Sequence, residues 1–304
     1  MAFYGNMNKM KKIVKYIGKI SFFFIGLIIL IYILGIPFGS LEKYGYHYQY
    51  VQPKLATYKQ LKPFSQDLLF VGDSLAWTGF KPQGYKDDFH LHNYNLATTG
   101  QMTLDSYVMI KEALKKQKPK MIVLEAHALF NATNKYYRFD IMNLFPILNY
   151  HAMYRFDLKA KEDVNLGYHP SENIKSYNKR KDYMKQEKIP FNPLNPYNIT
   201  YLNNFNLQYL NKIKALCEAQ NIKLLLISIP SPINWNQKRH DAVMSWAKHN
   251  HISYIDYNLL LDDIKIDFKH DYRDAGDHLN DYGELKIRKH LGAYLQKELG
   301  RGNK

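Results

Sequence analysis

Residues Leu68–Leu75 read LLFVGDSL, and the interpretation of the chain starts from this stretch. The apolar run Leu68–Val71 has the length and composition of a fully buried strand, and it stops at Gly72-Asp73. Gly72 allows the chain to turn sharply, so that Ser74 begins the helix that follows. Ligands of open α/β sheets bind beyond the carboxyl ends of the strands, which makes the Ser74 hydroxyl a candidate functional group.

Apolar runs alternate with helical patterns along the rest of the chain. The further runs predicted as strands are Tyr94–Ala97, Met121–Leu124, Ile222–Ile229 and Ile252–Ile255. The amphipathic patterns predicted as helices are Thr103–Lys116, Tyr201–Gln220, Gln237–Asn250 and Tyr282–Leu299. This alternation indicates βαβ units and an α/β fold of three layers, with a parallel sheet between helices. Residues 130–196 break the rhythm and are predicted to be a long insertion, acting as a lid or a substrate-binding excursion.

Two other loops carry groups that complement a serine. Thr98–Gln101 follows the second predicted strand, and the Gly100 N–H at a helix N-terminus can serve as an oxyanion donor. Arg273–Asn280 reads RDAGDHLN and directly precedes the last helix. A serine becomes nucleophilic when an imidazole accepts its proton and a carboxylate fixes the tautomer of that imidazole. Ser74 alone is also a good helix cap, but its combination with His278 at strand ends favours catalysis.

These motifs resemble those of the GDSL/SGNH hydrolase superfamily over residues 66–298. Val71–Leu75 is similar to the nucleophile block, Asn95–Gly100 to the block that supplies an oxyanion glycine, and Asp274–Gly283 to the terminal Asp/His block. The resemblance implies a flavodoxin-like SGNH sandwich and acyl chemistry at Ser74. It also implies an oxyanion hole made by the Gly100 and Ser74 N–H groups, and it requires no cofactor.

The third block of the superfamily, usually Gly-x-Asn-Asp after the third strand, has a different sequence in this chain. Leu124–Asn131 reads LEAHALFN. Asn131 is the candidate for the oxyanion asparagine, with Glu125 and His127 as alternatives.

The triad acid also departs from the usual spacing of three residues before the histidine. Asp274 stands four residues before His278 and Asp277 stands one before it. Asp274 is favoured, because a residue adjacent to His278 has to bend back sharply to reach its ring, and Asp277 remains the alternative.

An apolar segment near the N-terminus predicts a membrane anchor. Ile20–Leu41 contains no charged residue and, at about 1.5 Å per residue, is long enough for a hydrocarbon core of about 30 Å. Five lysines precede it and no acidic residue occurs before Glu42, so the N-terminus is expected in the cytoplasm. A cleaved signal peptide is the alternative, but the run is too long and no Ala-x-Ala site follows. The predicted organisation is a tail (1–19), an anchor (20–41), a juxtamembrane stalk (42–66) and an extracytoplasmic domain (67–304).

Composition narrows the function further. The 304 residues carry a formal net charge of +15, yet the lysines lie on helix faces of mixed sign, so nucleic-acid binding is not expected. The single Cys217 excludes a disulfide framework and any cysteine-built metal site. Residues 87–92 offer metal-ligand types without ligand spacing and are predicted to be a solvated turn, so no metal is expected. Trp77 and Trp235 are candidate substrate contacts.

The anchor and the run Lys118–Glu125 are similar to a narrower group, the membrane-tethered SGNH proteins of Gram-positive bacteria. This group includes the D-alanyl-transfer protein of teichoic acid modification and partners of exopolysaccharide and peptidoglycan O-acetyltransferases. The similarity implies acyl transfer through Ser74 to a cell-envelope polymer, with a multi-spanning membrane acyltransferase as partner. A carbohydrate or lipid esterase that uses water is one alternative. A non-catalytic scaffold that binds polymer or a membrane enzyme is another.

Overall fold

A computed structural model of the chain describes residues 2–39, 41–131, 141, 144–148, 168–178, 182–189 and 199–300. The chain divides into two compact units. One contains Met1–Lys43 with Lys135–Phe156, and the other contains Tyr44–Asn134 with Asp157–Lys304.

The first unit is dominated by one long helix, α1 (Ala2–Gly35). Its segment Lys9–Gly35 is long and apolar enough to cross a membrane. The helix ends before the predicted limit of the anchor because Pro37 has no N–H to continue it and Gly39 turns the chain with φ of +74°. A 3₁₀ turn (Ile36–Phe38) and a short helix, α2 (Leu41–Tyr44), follow.

The second unit is built on a five-stranded sheet. Its strands are β1 (Leu68–Val71), β2 (Asn93–Asn95), β3 (Met121–Glu125), β4 (Lys223–Ser228) and β5 (Ser253–Asp256). All neighbouring pairs are parallel, in the order β2-β1-β3-β4-β5. The predicted α/β fold with a parallel sheet is thereby confirmed. Because the strand order reverses between β1 and β3, the loops after these strands open a crevice at the carboxyl edge of the sheet.

Helices cover both faces of this sheet. They are α3 (Tyr48–Tyr58), α4 (Ser74–Gly79), α5 (Pro82–Phe89), α6 (Thr103–Ala113), α7 (Asn204–Ala219), α8 (Gln237–His249) and α9 (Asp281–Glu298). Short 3₁₀ helices lie at Ala126–Phe130 and Tyr183–Lys185. Helices α4, α5 and α9 pack on the face that carries Phe70, together with Leu75 and Ile287. Helices α3, α6 and α7 pack together on the face that carries Leu69, since successive strand residues point to opposite faces.

Two expectations differ from the observed elements, and a third can be compared only in part. The segment 42–66, expected to be a stalk, belongs to the folded domain from Tyr44 onward and contains α3. Part of the turn expected at 87–92 is instead the last turn of α5. Most of the expected insertion at 130–196 lies outside the described residues, but 168–178 is hydrogen-bonded to the loop before α9, through Lys175 N–H to the Tyr272 carbonyl at 2.8 Å.

Candidate active site

The turn after β1 places Ser74 at the carboxyl edge of the sheet. Gly72 has φ of +153°, and a Cβ at this position would lie 2.7 Å from Glu125 Cβ and 2.8 Å from Ala76 Cβ. Only glycine therefore fits between β3 and α4. Asp73 caps α4 by accepting the Leu75 N–H at 3.0 Å, so that Ser74 is the first residue of the helix and is half-buried.

His278 reaches Ser74 from the loop that precedes α9. Its Nε2 lies 2.8 Å from Ser74 Oγ, and its Nδ1 lies 2.6 Å from Asp274 Oδ2. The loop closes on itself because the His278 N–H donates to Asp274 Oδ1 at 2.7 Å, while Ala275 and Gly276 take positive φ of 61° and 97°. One short turn thus fixes the carboxylate and the imidazole against each other. The structure brings the predicted serine, histidine and acid into one hydrogen-bonded line.

The two candidate acids differ in their contacts with the imidazole. Asp277 Oδ2 is 3.4 Å from His278 Nδ1, beyond a good hydrogen bond, whereas Asp274 makes two short ones. Asp277 Oδ1 instead accepts from Asn234 Nδ2. Asp274 therefore has the geometry of the orienting acid, and Asp277 is a second negative group beside the same ring.

The ionisation of these groups follows from their surroundings. Burial opposes ionisation of Asp274, but the hydrogen bonds and charge of His278 outweigh it, and the pKa of Asp274 lies below its usual value. Burial raises the pKa of Asp277. Burial disfavours the imidazolium of His278, but the hydrogen bond to Asp274 and the charges of Asp277 and Asp274 raise its pKa. The site therefore favours the imidazolium, which is the state that a general base reaches on taking a proton.

Two backbone N–H groups in the turns after β1 and β2 are the candidate oxyanion donors. Gly100 lies in the turn after β2 with φ of +62°, and Thr98 N–H joins this turn to the Gly72 carbonyl at 3.3 Å. Among the described residues, neither the Gly100 N–H nor the Ser74 N–H donates a hydrogen bond to a protein acceptor. Backbone donors of this kind are what an oxyanion hole requires.

Asn131 was predicted to donate a hydrogen bond to the oxyanion, but its side-chain amide is hydrogen-bonded within the protein. Its Nδ2 donates to Asp73 Oδ2 at 2.7 Å and to the Gln101 carbonyl at 3.0 Å, which uses both amide hydrogens. The opposite amide orientation would set Oδ1 against a carboxylate. Asn131 therefore ties the nucleophile turn to the Gly100 turn.

Asp73 is the centre of a buried network that sequence reasoning overlooked. His127 Nδ1 lies 2.5 Å from Asp73 Oδ2, and both side chains are buried. Burial opposes ionisation of Asp73, but the charge and hydrogen bonds of His127 and Asn131 hold its pKa below the usual value. The signal in the sequence is the Gly-Asp-Ser turn itself, since an Asp before the first residue of a helix commonly caps it.

Two further ionisable groups are buried near Asp73. Burial, together with the charge of Asp73, raises the pKa of Glu125 well above its usual value. Arg239 is completely buried, with its guanidinium 4.7 Å from the Phe130 ring centre and Nη1 donating to the Asn234 carbonyl. Burial lowers the pKa of Arg239 to about 9, against the opposing charges of Asp73 and Glu125. Nothing in the local sequence marks Arg239, because its neighbours come from distant elements.

Carboxylate and imidazole atoms lie close together in two clusters of the described residues, which makes each a candidate metal site. They are Asp73, Glu125 and His127, and Asp274, Asp277 and His278, each with ligand-type atoms within 4.8 Å of one another. In both clusters the histidine Nδ1 is hydrogen-bonded to an aspartate oxygen. This is the arrangement of an oriented imidazole, and we assign no metal to either cluster.

The two tryptophan candidates have different environments. Trp77 is half-buried on α4, and its ring stacks on His169 with centroids 4.8 Å apart and an angle of 28°. Trp235 is completely buried and donates from Nε1 to Asp256 Oδ2 at 3.0 Å. Trp235 is therefore a core residue, and its expected contact with substrate is wrong. The contact of Trp77 with substrate stays a prediction.

The chain is similar to several solved protein structures. No family model and no curated protein matches the chain. An acylhydrolase from Bacteroides fragilis is 16% identical, with 80% of this chain and 93% of that chain covered and a TM-score of 0.43. A GDSL-like lipase from Bacteroides thetaiotaomicron is 13% identical, with 81% and 98% covered and a TM-score of 0.38. A lipase/acylhydrolase from Enterococcus faecalis is 13% identical, with 78% and 96% covered and a TM-score of 0.40. Similarity at this level concerns the fold, and the chemistry of the site rests on its own side chains.

Proposed function

We propose that the chain is a serine esterase or acyltransferase of the GDSL/SGNH type that works through an acyl-Ser74 intermediate. The observation that carries this proposal is the line from Ser74 Oγ to His278 Nε2 (2.8 Å) and from His278 Nδ1 to Asp274 Oδ2 (2.6 Å). A hydroxyl, an imidazole and a carboxylate in this order form a nucleophile, its base and the group that orients the base.

The first half-reaction forms the acyl-enzyme. Ser74 Oγ attacks the carbonyl carbon of an ester while His278 Nε2 takes the serine proton, and the carbonyl π electrons move onto oxygen. The N–H groups of Ser74 and Gly100 stabilise that oxyanion. Collapse of the intermediate breaks the bond to the leaving oxygen, which receives its proton from His278. Asp274 stabilises the imidazolium between these two steps.

The second half-reaction returns the enzyme to its starting state. A hydroxyl of the acceptor gives its proton to His278 and attacks the acyl carbon. Ser74 then leaves and takes the proton back. Water as acceptor gives hydrolysis, and a polymer hydroxyl gives transfer. We propose an acceptor polymer of the cell envelope, such as a teichoic acid, an exopolysaccharide or peptidoglycan, with a multi-spanning membrane acyltransferase as acyl donor.

Membrane attachment supports this location. Helix α1 contains a segment long and apolar enough to span a bilayer, and five lysines and no acidic residue precede its uncharged part. The positive-inside rule then puts the N-terminus in the cytoplasm and the catalytic unit outside. The net charge of +15 suits an anionic polymer or lipid surface.

Topology can be tested by cysteine labelling, because the native Cys217 is 1% exposed. An Ala215→Cys variant places a thiol on an exposed position of α7, and a Lys9→Cys variant places one before the anchor. In intact cells a membrane-impermeant maleimide should label the first variant and not the second. Labelling in the opposite pattern would refute the proposed orientation.

The catalytic proposal is tested with the full-length protein in its membrane. Ser74→Ala should abolish release of p-nitrophenol from p-nitrophenyl acetate and should abolish acylation of the envelope polymer in cells. Ser253→Ala, at an exposed position of β5, is the matched control and should keep both activities. Release of p-nitrophenol without any polymer acylation would favour the water-using esterase. Unchanged acylation in the Ser74→Ala variant would favour a non-catalytic scaffold and exclude the proposed mechanism.

A further inference from the structure

The segment that joins the anchor to β1 contains an unusual buried cation. Helix α3 packs against α6, and its Val51, Leu55 and Tyr58 side chains are completely or almost completely buried. Lys54 lies on the same helix and is 3% exposed. Lysine is rarely buried unless its ammonium is paired, because desolvation of the charge is costly. The contacts of the Lys54 ammonium therefore have to compensate for the loss of its hydration.

Those contacts lie at the candidate active site. Lys54 Nζ donates to the Ala97 carbonyl at 2.5 Å, and it lies 5.5 Å from the centre of the Trp77 ring. Ala97 immediately precedes the turn that contains Gly100, and Trp77 lies on the helix that begins at Ser74. The Lys54 side chain on α3 thus contacts both α4 and the loop after β2.

The Ala97–Thr98 peptide is held at both of its polar ends. Its carbonyl accepts from Lys54 Nζ, and its N–H, that of Thr98, donates to the Gly72 carbonyl at 3.3 Å. This peptide unit precedes Gly100 by two residues. Rotation of the peptide would swing the Gly100 N–H away from the oxyanion position, so the Lys54 contact restrains the geometry of that donor.

A second contact ties the residues after Gly100 to residues 44–58, the segment between the predicted anchor and β1. Asp105, in the first turn of α6, is completely buried and accepts the Met102 N–H at 3.1 Å. The same carboxylate accepts the N–H groups of Tyr46 at 2.5 Å and His47 at 3.1 Å and lies 2.7 Å from His47 Nδ1. The residues before and after Gly100 are therefore both anchored to 44–58.

We propose that Lys54 on α3 is a positioning residue of the active site, which sets the oxyanion turn through its contact with the Ala97 carbonyl. The inference rests on the proposed acyl-Ser74 chemistry. Its consequence is that the first part of the chain beyond the anchor is needed for catalysis as well as for attachment. A truncation that begins at β1 removes Lys54 and should leave a domain with a poorly formed oxyanion hole.

The test compares variants of Lys54 in the full-length protein in detergent. Lys54→Met keeps the length and loses the ammonium, Lys54→Gln keeps a neutral donor, and Lys54→Arg keeps a cationic donor. Thr57→Val is the matched control, because the Thr57 hydroxyl donates to the Pro53 carbonyl within α3. Each variant is measured for the rate of the p-nitrophenol burst, for KM and for the rate of amide hydrogen exchange.

Lys54→Met should slow the burst by about tenfold to a hundredfold, the range expected when a catalytic donor is misplaced, with KM within about twofold of wild type. Peptides covering 96–104 should exchange faster, while those covering β4 should not change. Lys54→Arg should recover part of the burst rate, and Thr57→Val should keep it even if the thermal midpoint falls. If Lys54→Met does not fold, Lys54→Gln should show the same pattern to a smaller degree.

Three results would overturn the inference. One is a normal burst and normal exchange at 96–104 in both Lys54→Met and Lys54→Gln. Another is an equal loss of burst rate in Thr57→Val, which would mark a purely structural role for α3. The third is a rise in KM at unchanged burst rate. Absence of any Ser74-dependent release of p-nitrophenol in wild type would instead refute the proposed function, and the exchange measurement would still decide whether Lys54 restrains the turn.

Discussion

Replacement of Asp274 by Asn is expected to reduce kcat by about 10,000-fold, the effect of presenting the wrong tautomer to the nucleophile. Asp274 Oδ2 is 2.6 Å from His278 Nδ1 and Oδ1 is 2.7 Å from the His278 N–H. An amide in the same place still accepts one hydrogen bond, but it has no charge to balance the imidazolium. It can also force the Nδ1 proton onto Nε2, where it blocks acceptance of the serine proton.

The magnitude follows from these contacts. A hydrogen bond to a charged group contributes about 1.5–3 kcal/mol. The attraction between a carboxylate and an imidazolium is about 4 kcal/mol at about 4 Å with an effective dielectric constant of about 20. The Asp274 side chain is 37% exposed, so solvent screening reduces the second contribution. A loss of about 5 kcal/mol remains, which corresponds to nearly four decades in rate at about 1.36 kcal/mol per decade.

The assay is steady-state hydrolysis of p-nitrophenyl acetate by full-length Asp274→Asn and Asp277→Asn proteins. Asp277 is 3.4 Å from the ring and is hydrogen-bonded to Asn234, so its replacement should cost less than about tenfold. Circular dichroism of both variants controls for folding. Equal losses, or a larger loss for Asp277→Asn, would refute the assignment of Asp274 as the orienting acid.

Three further outcomes are expected. The charge of Asp277 contributes to the raised pKa of His278, and His278 must be neutral to act as a base. Asp277→Asn should therefore move the acid limb of the kcat/KM profile to lower pH. A shift of that limb to higher pH would contradict this. Gly72→Ala should lower the free energy of unfolding by about 2–4 kcal/mol in urea titrations, since its Cβ would overlap Glu125 Cβ, and an unchanged midpoint would be inconsistent with that contact. The folded pKa of Asp73 lies below its unfolded value, so its contribution is present above about pH 4 and is lost as the pH falls through the folded pKa. Asp73→Asn should therefore lower the free energy of unfolding by about 3 kcal/mol at neutral pH. The difference between the variant and wild type should shrink in acid, as measured by urea titration at each pH.

The sequence predicts the fold correctly where the residues of a single strand or helix form a recognisable pattern. The strand at Leu68–Val71 has the bounds that its apolar run predicted, because both faces of a central parallel strand are buried. Gly100 was singled out by its place after a predicted strand, and His278 by its place directly before the last helix, so both choices depended on topology and not on detailed contacts. Asp274 and Asp277 could not be separated by spacing alone, since the choice depends on the positive φ of the residues between them.

Other features depend on partners far away in the chain and left no local pattern. Helix α3 has Pro53 in its interior and no clear apolar period, yet it is helical because α6 covers it. Trp235 appeared suited to a substrate surface, but Asp256 lies 21 residues further on and holds its indole N–H in the core. In the same way, the side-chain amide of Asn131 faces Asp73, 58 residues earlier, and its sequence position gave no indication of that direction.

The Asp73 network explains the role of the residues that follow β3. In this chain His127 and Asn131 both contact Asp73 Oδ2, and Asp73 Oδ1 accepts the Leu75 N–H. Residues after β3 therefore support the turn that carries Ser74, and they do so through a carboxylate whose charge also raises the pKa of His278. In the proposed mechanism the oxyanion is bound by backbone N–H groups alone, and the positions of these groups depend on the turns that hold them. If that mechanism holds, the contacts of Asn131 with Gln101 and of Lys54 with Ala97 fix the geometry of the turn that carries Gly100.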